Sequence, residues 1–343
     1  MNHKRIADGV LDAIGSTPLL RLRRYLDRDD VTLLAKWEAM NPGGSAKDRP
    51  AHQMIKHALE NGEISQGTTI IESSSGNMGI GLAQVCRYYG LRLVCVVDPH
   101  AQKQNLAIMR ALGAEIDLVT EPVDGSYLAA RLSRVCYLLE NCPGSYWPNQ
   151  YANPQNPRAH NEGTIREIDE SLDGEIDYLF VAVSSTGTAG GCQEYLRRRG
   201  RSTKVIAVDA WGSVLFGGSP GQRRIPGLGA GREPSLARGR RFDDVQRVTD
   251  LDCVIGCRRM ASREACLVGG SAGGVLEVTR RLQDSLRGKT CVAILHDSGT
   301  RYLDTVFNDD WVRAELGEVS PLFDAKSSSN QASEVNQASE VLV

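Results

Sequence analysis

The decapeptide NPGGSAKDRP at residues 41–50 places one lysine, Lys47, behind two glycines and a serine and directly before Asp48, Arg49 and Pro50. A solvated lysine at a helix start is the ordinary reading, because Ser45 is a good N-cap residue and lysines are mostly exposed. The chemical reading is a Schiff-base lysine, whose amine attacks a carbonyl. Glycines at 43 and 44 let the backbone approach a bound group closely. An ordinary lysine titrates at ~10.4, so such a site must favour the neutral amine.

Three further loops have the composition of anion holders. SSSGNMG (73–79) concentrates hydroxyls, a glycine and an asparagine where backbone N–H groups can meet a carboxylate. SSTGTAGG (184–191) offers both hydroxyl and backbone donors to a phosphate. No lysine follows its glycines and the dinucleotide spacing is absent, which points to a phosphorylated cofactor or mononucleotide rather than ATP or NAD. VGGSAGG (268–274) is the third. Each loop alone fits an ordinary capped turn; together with one sheltered lysine they form a phosphate holder, a carboxylate holder and a nucleophilic amine.

Strands and helices must position these loops. TTIIE (68–72), LRLVCVV (91–97) and EIDLVT (115–120) are apolar runs of strand length, separated by the helical patterns MGIGLAQVCRYYG and KQNLAIMRALGA. The alternation returns with DYLFVAV (177–183), KVIAVDA (204–210) and TCVAIL (290–295), with helices predicted at 189–199 and 271–286. The predicted fold class is therefore α/β, with two doubly wound parallel sheets and a cleft between them, where ligands sit beyond the carboxyl ends of strands. YANPQNPR (151–158) reads as the crossing between the two sets. The expected division is a smaller mobile domain at 40–150 and a larger phosphate-binding domain at 1–39 and 151–316. The duplicated hexapeptide NQASEV after KSSS makes 317–343 a disordered tail.

Composition narrows the classes. A net charge of −2 removes any general electrostatic drive towards nucleic acid or an anionic membrane. Nine cysteines without framework spacing suit a reducing compartment, and Cys253 and Cys257 have no second ligand pair to complete a metal site. No signal-like or membrane-length apolar stretch is present, so a cytoplasmic location is expected.

NPGGSAKDRP, ESSSGNMGI, the hydroxyl/glycine loop at 184–188, GLGAGREP and GGSAGG occur in the order seen in the cysteine synthase family of fold-type II enzymes, which use pyridoxal 5′-phosphate. The chain resembles that family over about residues 10–313. NQYAN (149–153), VDAWGSVLFG (208–217), LGAGREP (228–234) and RYLDTVFNDDW (301–311) resemble the branch that makes N-(2-amino-2-carboxyethyl)-L-glutamate for 2,3-diaminopropionate and siderophore biosynthesis. The resemblance implies that Lys47 binds the cofactor covalently and is the catalytic residue. It implies that Asn77 bonds the ring hydroxyl oxygen, that Ser184, Ser185, Thr186, Gly187 and Thr188 hold the phosphate, and that Ser271 faces the pyridine nitrogen. Ser74, Ser75, Gly76 and Gln150 would hold the substrate carboxylate. Sulfide-using members carry more glycine in the phosphate loop and a threonine where this chain has Met78.

A hydroxyl opposite the ring nitrogen suits loss of a β leaving group, so the implied chemistry is β-replacement through an α-aminoacrylate. Arg232, in GREP, is expected to meet an anionic group of the substrate, either the phosphate of O-phospho-L-serine or a carboxylate of L-glutamate. Those two amino acids are the preferred pair, in a homodimer. The rivals are a cysteine synthase taking sulfide with O-acetylserine or O-phosphoserine, a synthase using ammonia, a dehydratase, and an inactive binding or regulatory protein of the same fold. His160, His296, Trp147 and Tyr151 are given no chemical role, and Asp48 and Arg49 are expected to fix the lysine turn.

Overall fold

Aliphatic runs form strands buried on both faces, as parallel sheets covered by helices require. The computed structural model describes residues 6–317. In chain order the strands are β1 (Leu19–Arg21), β2 (Thr32–Trp37), β3 (Thr69–Ser73), β4 (Arg92–Val97), β5 (Glu115–Leu118) and β6 (Ser145–Tyr146). They continue with β7 (Tyr178–Ala182), β8 (Lys204–Ala210), β9 (Asp244–Val248) and β10 (Thr290–Leu295). The helices are α1 (Asp48–Glu60), α2 (Asn77–Tyr89), α3 (Lys103–Ala111), α4 (Tyr127–Asn141) and α5 (Gln155–Ala159). After a π-helical turn (His160–Thr164) come α6 (Ile165–Ser171), α7 (Gly187–Arg198), α8 (Asp250–Glu264), α9 (Gly270–Leu282) and α10 (Asp309–Leu316).

Two sheets result. A six-stranded sheet runs β1-β2-β10-β7-β8-β9, parallel except for β1, and a four-stranded parallel sheet runs β5-β4-β3-β6. Side chains alternate between two cores across the larger sheet: Leu33, Ala35, Phe180 and Ala182 face one, Leu34, Leu179 and Val181 the other. Around the smaller sheet, Ile70, Leu93 and Cys95 face a core shared with α1 and α2, while Ile71, Val94 and Val96 face Val135 of α4. Full burial of one such aliphatic side chain contributes about 1.5–3 kcal/mol.

The predicted strands and helices are present with small shifts in their ends, and the helix expected at 271–286 breaks at Leu282 into a 3₁₀ turn, Gln283–Leu286. One expectation changes. Ser45 does not cap α1: its hydroxyl accepts from Lys47 N at 3.2 Å and donates to Asp48 Oδ1 at 3.3 Å, so it closes the turn before the helix. Within the crossing at 151–158, Gln155, Asn156 and Pro157 are buried in α5. Glycines explain that burial: a Cβ on Gly191 of α7 would lie 2.0 Å from Pro157 O, so only glycine lets the two helices pack so closely. The tail at 317–343 lies outside the described residues apart from Gly317.

Candidate active site

The loops after β3, β7 and β10 and the turn before α1 converge on one cleft of about 240 Å³, a space suited to a compact ligand. Lys47 enters from the α1 turn. Gly44 has φ +81°, and Gly44 N bonds Asn41 O at 2.7 Å, which tightens the turn. Asp48 accepts from Gly43 N. The first turn of α1 is anchored by a buried ionic network: Arg49 Nε to Glu38 Oε2 at 2.7 Å, Arg49 Nη1 to Glu167 Oε1 at 2.6 Å, and Lys36 Nζ to Glu167 Oε2 at 2.6 Å. Burial lowers the Lys47 amine from its ordinary value, with Asp297 and Glu38 opposing, which increases the neutral, nucleophilic fraction.

Asn77, the first residue of α2, donates from Nδ2 to Asp297 Oδ2 at 2.7 Å and accepts at Oδ1 from Arg301. Arg301 also donates to Gly43 O, tying the lysine turn to the Asn77 amide. Tyr302 donates its hydroxyl to Asp297 Oδ2. Asn77 therefore has one amide hydrogen unspent and directed by a fixed side chain.

The turn at 184–188 opens α7. Thr186 takes a left-handed conformation, φ +65°, at the helix N-cap, a strained choice for a β-branched residue, and its buried hydroxyl has no partner among the described residues. Ser185 Oγ accepts from Gly187 N and from Asn156 Nδ2, both at 3.3 Å. Thr188 Oγ1 lies 3.2 Å from His160 Nε2, and His160 Nδ1 lies 3.0 Å from Thr164 Oγ1. His160, given no chemical role from the sequence, is fully buried behind this turn at the start of the π-helical segment.

On the opposite wall, Ser74 Oγ accepts from Gly79 N at 3.0 Å, while Ser75 and Gly76 face the cleft. Buried Glu72 holds the neighbouring segment. Its carboxylate accepts from Ser73 N at 2.9 Å, Trp147 Nε1 at 3.1 Å and Gln150 N at 3.3 Å, which brings Gln150 beside the Ser74–Gly76 turn. Burial pushes Glu72 up to about 7 against those hydrogen bonds. Ser271, at the start of α9, also lines the cleft.

Every residue expected at the site lines this cleft except Arg232, which is exposed on the 231–233 loop and does not reach it. The arginine in the cleft is Arg131 of α4, whose Nε lies 3.1 Å from Asp98 Oδ2. Beside it stands Tyr151; burial raises its phenol, with Arg131 the largest opposing influence. Met78, 2% exposed, forms part of the wall. Sequence reasoning also left His296, Asp297 and Tyr302 without roles. Asp297 was findable, as an acid two residues past the end of β10, where ligands of such sheets bind. Arg131 carries no such signal, because the pattern of α4 gives equal weight to Arg131 and Arg134.

The unspent groups match pyridoxal phosphate: a helix N-terminus with an orphaned Thr186 hydroxyl for the phosphate, a free Asn77 hydrogen for a ring oxygen, and a neutral-leaning amine for the carbonyl carbon. The fold and cleft are those of a fold-type II pyridoxal-phosphate enzyme, and the family of pyridoxal-phosphate-dependent enzymes matches residues 10–297. The chain belongs to that family, and within it to the cysteine synthase group of synthases. It is 46% identical over 309 residues, 90% of this chain and 91% of the other, to the N-(2-amino-2-carboxyethyl)-L-glutamate synthase of Ralstonia nicotianae. Among solved structures it superposes on the O-acetylserine-dependent cystathionine β-synthase of Helicobacter pylori with TM-score 0.81 at 31% identity, covering 88% of this chain and 98% of that one. An O-ureido-L-serine synthase gives TM-score 0.82 at 30% identity, covering 90% and 100%. Among the described residues no helix is long and apolar enough to cross a membrane.

Proposed function

We propose that the protein replaces the phosphate of O-phospho-L-serine with the amine of L-glutamate, giving N-(2-amino-2-carboxyethyl)-L-glutamate and phosphate for 2,3-diaminopropionate and siderophore biosynthesis. The observation that carries this reading is Arg131: a guanidinium lining the cleft suits an anionic leaving group such as phosphate. The 46% identical relative named for that product supports it further.

Bound pyridoxal phosphate supplies the electron sink that acidifies Cα–H and permits the β-substituent to depart. Lys47 would hold the cofactor, and its free amine would move the proton at the substrate Cα. The 184–188 turn would hold the cofactor phosphate, Asn77 a ring oxygen and the Ser271 hydroxyl the ring nitrogen, without demanding its protonation. Ser74, Ser75, Gly76 and Gln150 orient the substrate carboxylate. Arg131 and Tyr151 receive the departing phosphate. Arg232, exposed on its loop, is outside this assignment. The working form is taken as a cytoplasmic homodimer, which sedimentation of the purified protein tests.

The deciding experiment gives the loaded enzyme O-phospho-L-serine with glutamate, ammonia or sulfide separately and weighs the products. Formation of the glutamate adduct at the highest kcat/KM is expected. Cysteine from sulfide as the favoured product would make the protein a cysteine synthase.

A further inference from the structure

Glu72 lies behind the substrate-binding wall without lining the cleft itself. It is 1% exposed, while Ser73, Ser74 and Gln150 beside it all line the cleft. Every group that bonds its carboxylate is a donor: Ser73 N at 2.9 Å and Trp147 Nε1 at 3.1 Å on Oε1, Gln150 N at 3.3 Å on Oε2, and the main-chain N–H of Asn149. Asn149 has φ +49°, and successive N–H groups around a left-handed residue converge on an anion. Here that anion is a side chain of the protein.

The consequence falls on Gln150. Its N–H is taken by Glu72 and its carbonyl by Asn156 Nδ2 at 2.7 Å, so its main chain is pinned at both ends. Its side-chain amide makes no hydrogen bond among the described residues, although the residue lines the cleft and is only 6% exposed. A buried amide left unspent on a pinned main chain is a group kept for a ligand. Through Ser73 N the same carboxylate fixes the chain entering the Ser74–Gly76 turn, which Gly79 N closes on Ser74 Oγ at 3.0 Å. Glu72 thus sets the distance between two walls that reach the cleft from β3 and from the segment after β6.

We infer that Glu72 is a positioning residue for the amino-acid substrate: its carboxylate holds Gln150 and the Ser74–Gly76 turn at the spacing that receives the substrate α-carboxylate. The inference rests on those residues as the carboxylate holder and is independent of the leaving group and of the acceptor.

The test compares wild type with Glu72→Gln, which keeps the shape of the side chain but turns an amide N–H towards N–H donors. Full-length protein loaded with pyridoxal phosphate is titrated with L-alanine, which has the α-carboxylate and no leaving group, and the change in the visible band gives Kd. Misplacing Gln150 forfeits a hydrogen bond to a charged carboxylate, so Kd rises roughly ten- to a hundredfold. The KM values of O-phospho-L-serine and O-acetyl-L-serine rise by the same factor, kcat stays within a few-fold, and the half-saturating cofactor concentration is that of wild type. Gln150→Ala added to Glu72→Gln costs little more, because the amide is already out of place. Glu72→Asp, which draws the charge back by one methylene, is read instead if the glutamine variant does not fold. An unchanged Kd for L-alanine overturns the inference, as does an equal loss of cofactor affinity. A wild-type band that L-alanine leaves unmoved overturns instead the assignment of the carboxylate holder.

Discussion

Replacing Arg131 by glutamine separates the two leaving-group chemistries open to this cleft. Arg131 carries the one guanidinium lining the cleft among the described residues, and its Nε lies 3.1 Å from Asp98 Oδ2. A hydrogen bond to an ionised partner contributes about 1.5–3 kcal/mol, which at about 1.4 kcal/mol per decade is a ten- to hundredfold loss in kcat/KM for O-phospho-L-serine. The variant also removes Asp98's arginine partner, leaving it among the described residues only the hydrogen bond from His100 N at 2.9 Å, so its charge then repels the substrate phosphate. The double variant Arg131→Gln with Asp98→Asn removes that repulsion and should recover part of the loss, giving a coupling between the two positions. With O-acetyl-L-serine, whose leaving group starts neutral, both variants should stay within a few-fold of wild type. The assay is steady-state release of phosphate or acetate at fixed glutamate. Equal losses on both substrates, or none on either, would refute the assignment of Arg131 to the phosphate.

Other consequences follow from the same geometry. Lys47→Ala should abolish turnover and leave the thermal midpoint within about one degree of the cofactor-free wild type; retained turnover would remove Lys47 from the mechanism. Gly191→Ala drives a Cβ to 2.0 Å from Pro157 O, a backbone atom that cannot swing aside, so a loss of about 1–3 kcal/mol is expected in urea unfolding. Burial would raise Glu167, but its bonds to Arg49 and Lys36 prevail and bring it from 4.5 down to about 2. Its contribution to stability is therefore full above pH 4.5 and fades as pH falls towards 2. Glu167→Gln should be less stable at neutral pH and show a flatter acid limb; an unchanged limb would mean that another carboxylate controls acid unfolding.

The sequence made the local chemistry legible and left the long-range geometry hidden. Strand runs such as TCVAIL and KVIAVDA, and the hydroxyl/glycine turns that follow strands, announce themselves through composition. The order β2-β10-β7 does not, because β10 inserts between strands far from it in the chain, and pairing of buried apolar strands has little local signature. Arg232 lies in a motif and Arg131 in an unremarkable helix face, yet the fold brings only the latter to the cleft. His160 sits among polar residues, RAHNEG, and its burial depends on a π turn and on close helix contact through Gly191. The Glu72 clamp joins residues 72 and 150 through side-chain bonds that no pattern in either segment declares.

The central place of β10 also bears on biosynthesis. Residues 290–295 hydrogen-bond on one side to β2, made near the start of the chain, and on the other to β7. The four-stranded sheet uses no strand beyond residue 146, so it can form before the strands at 178–295 are made. The six-stranded sheet must wait for its last-synthesised strand, and the turn bearing Lys47, bonded to residues 296 and 297, waits with it. A nascent chain therefore lacks an assembled amine site, and its lysine stays as unreactive as any in solution until residues 290–297 have been made.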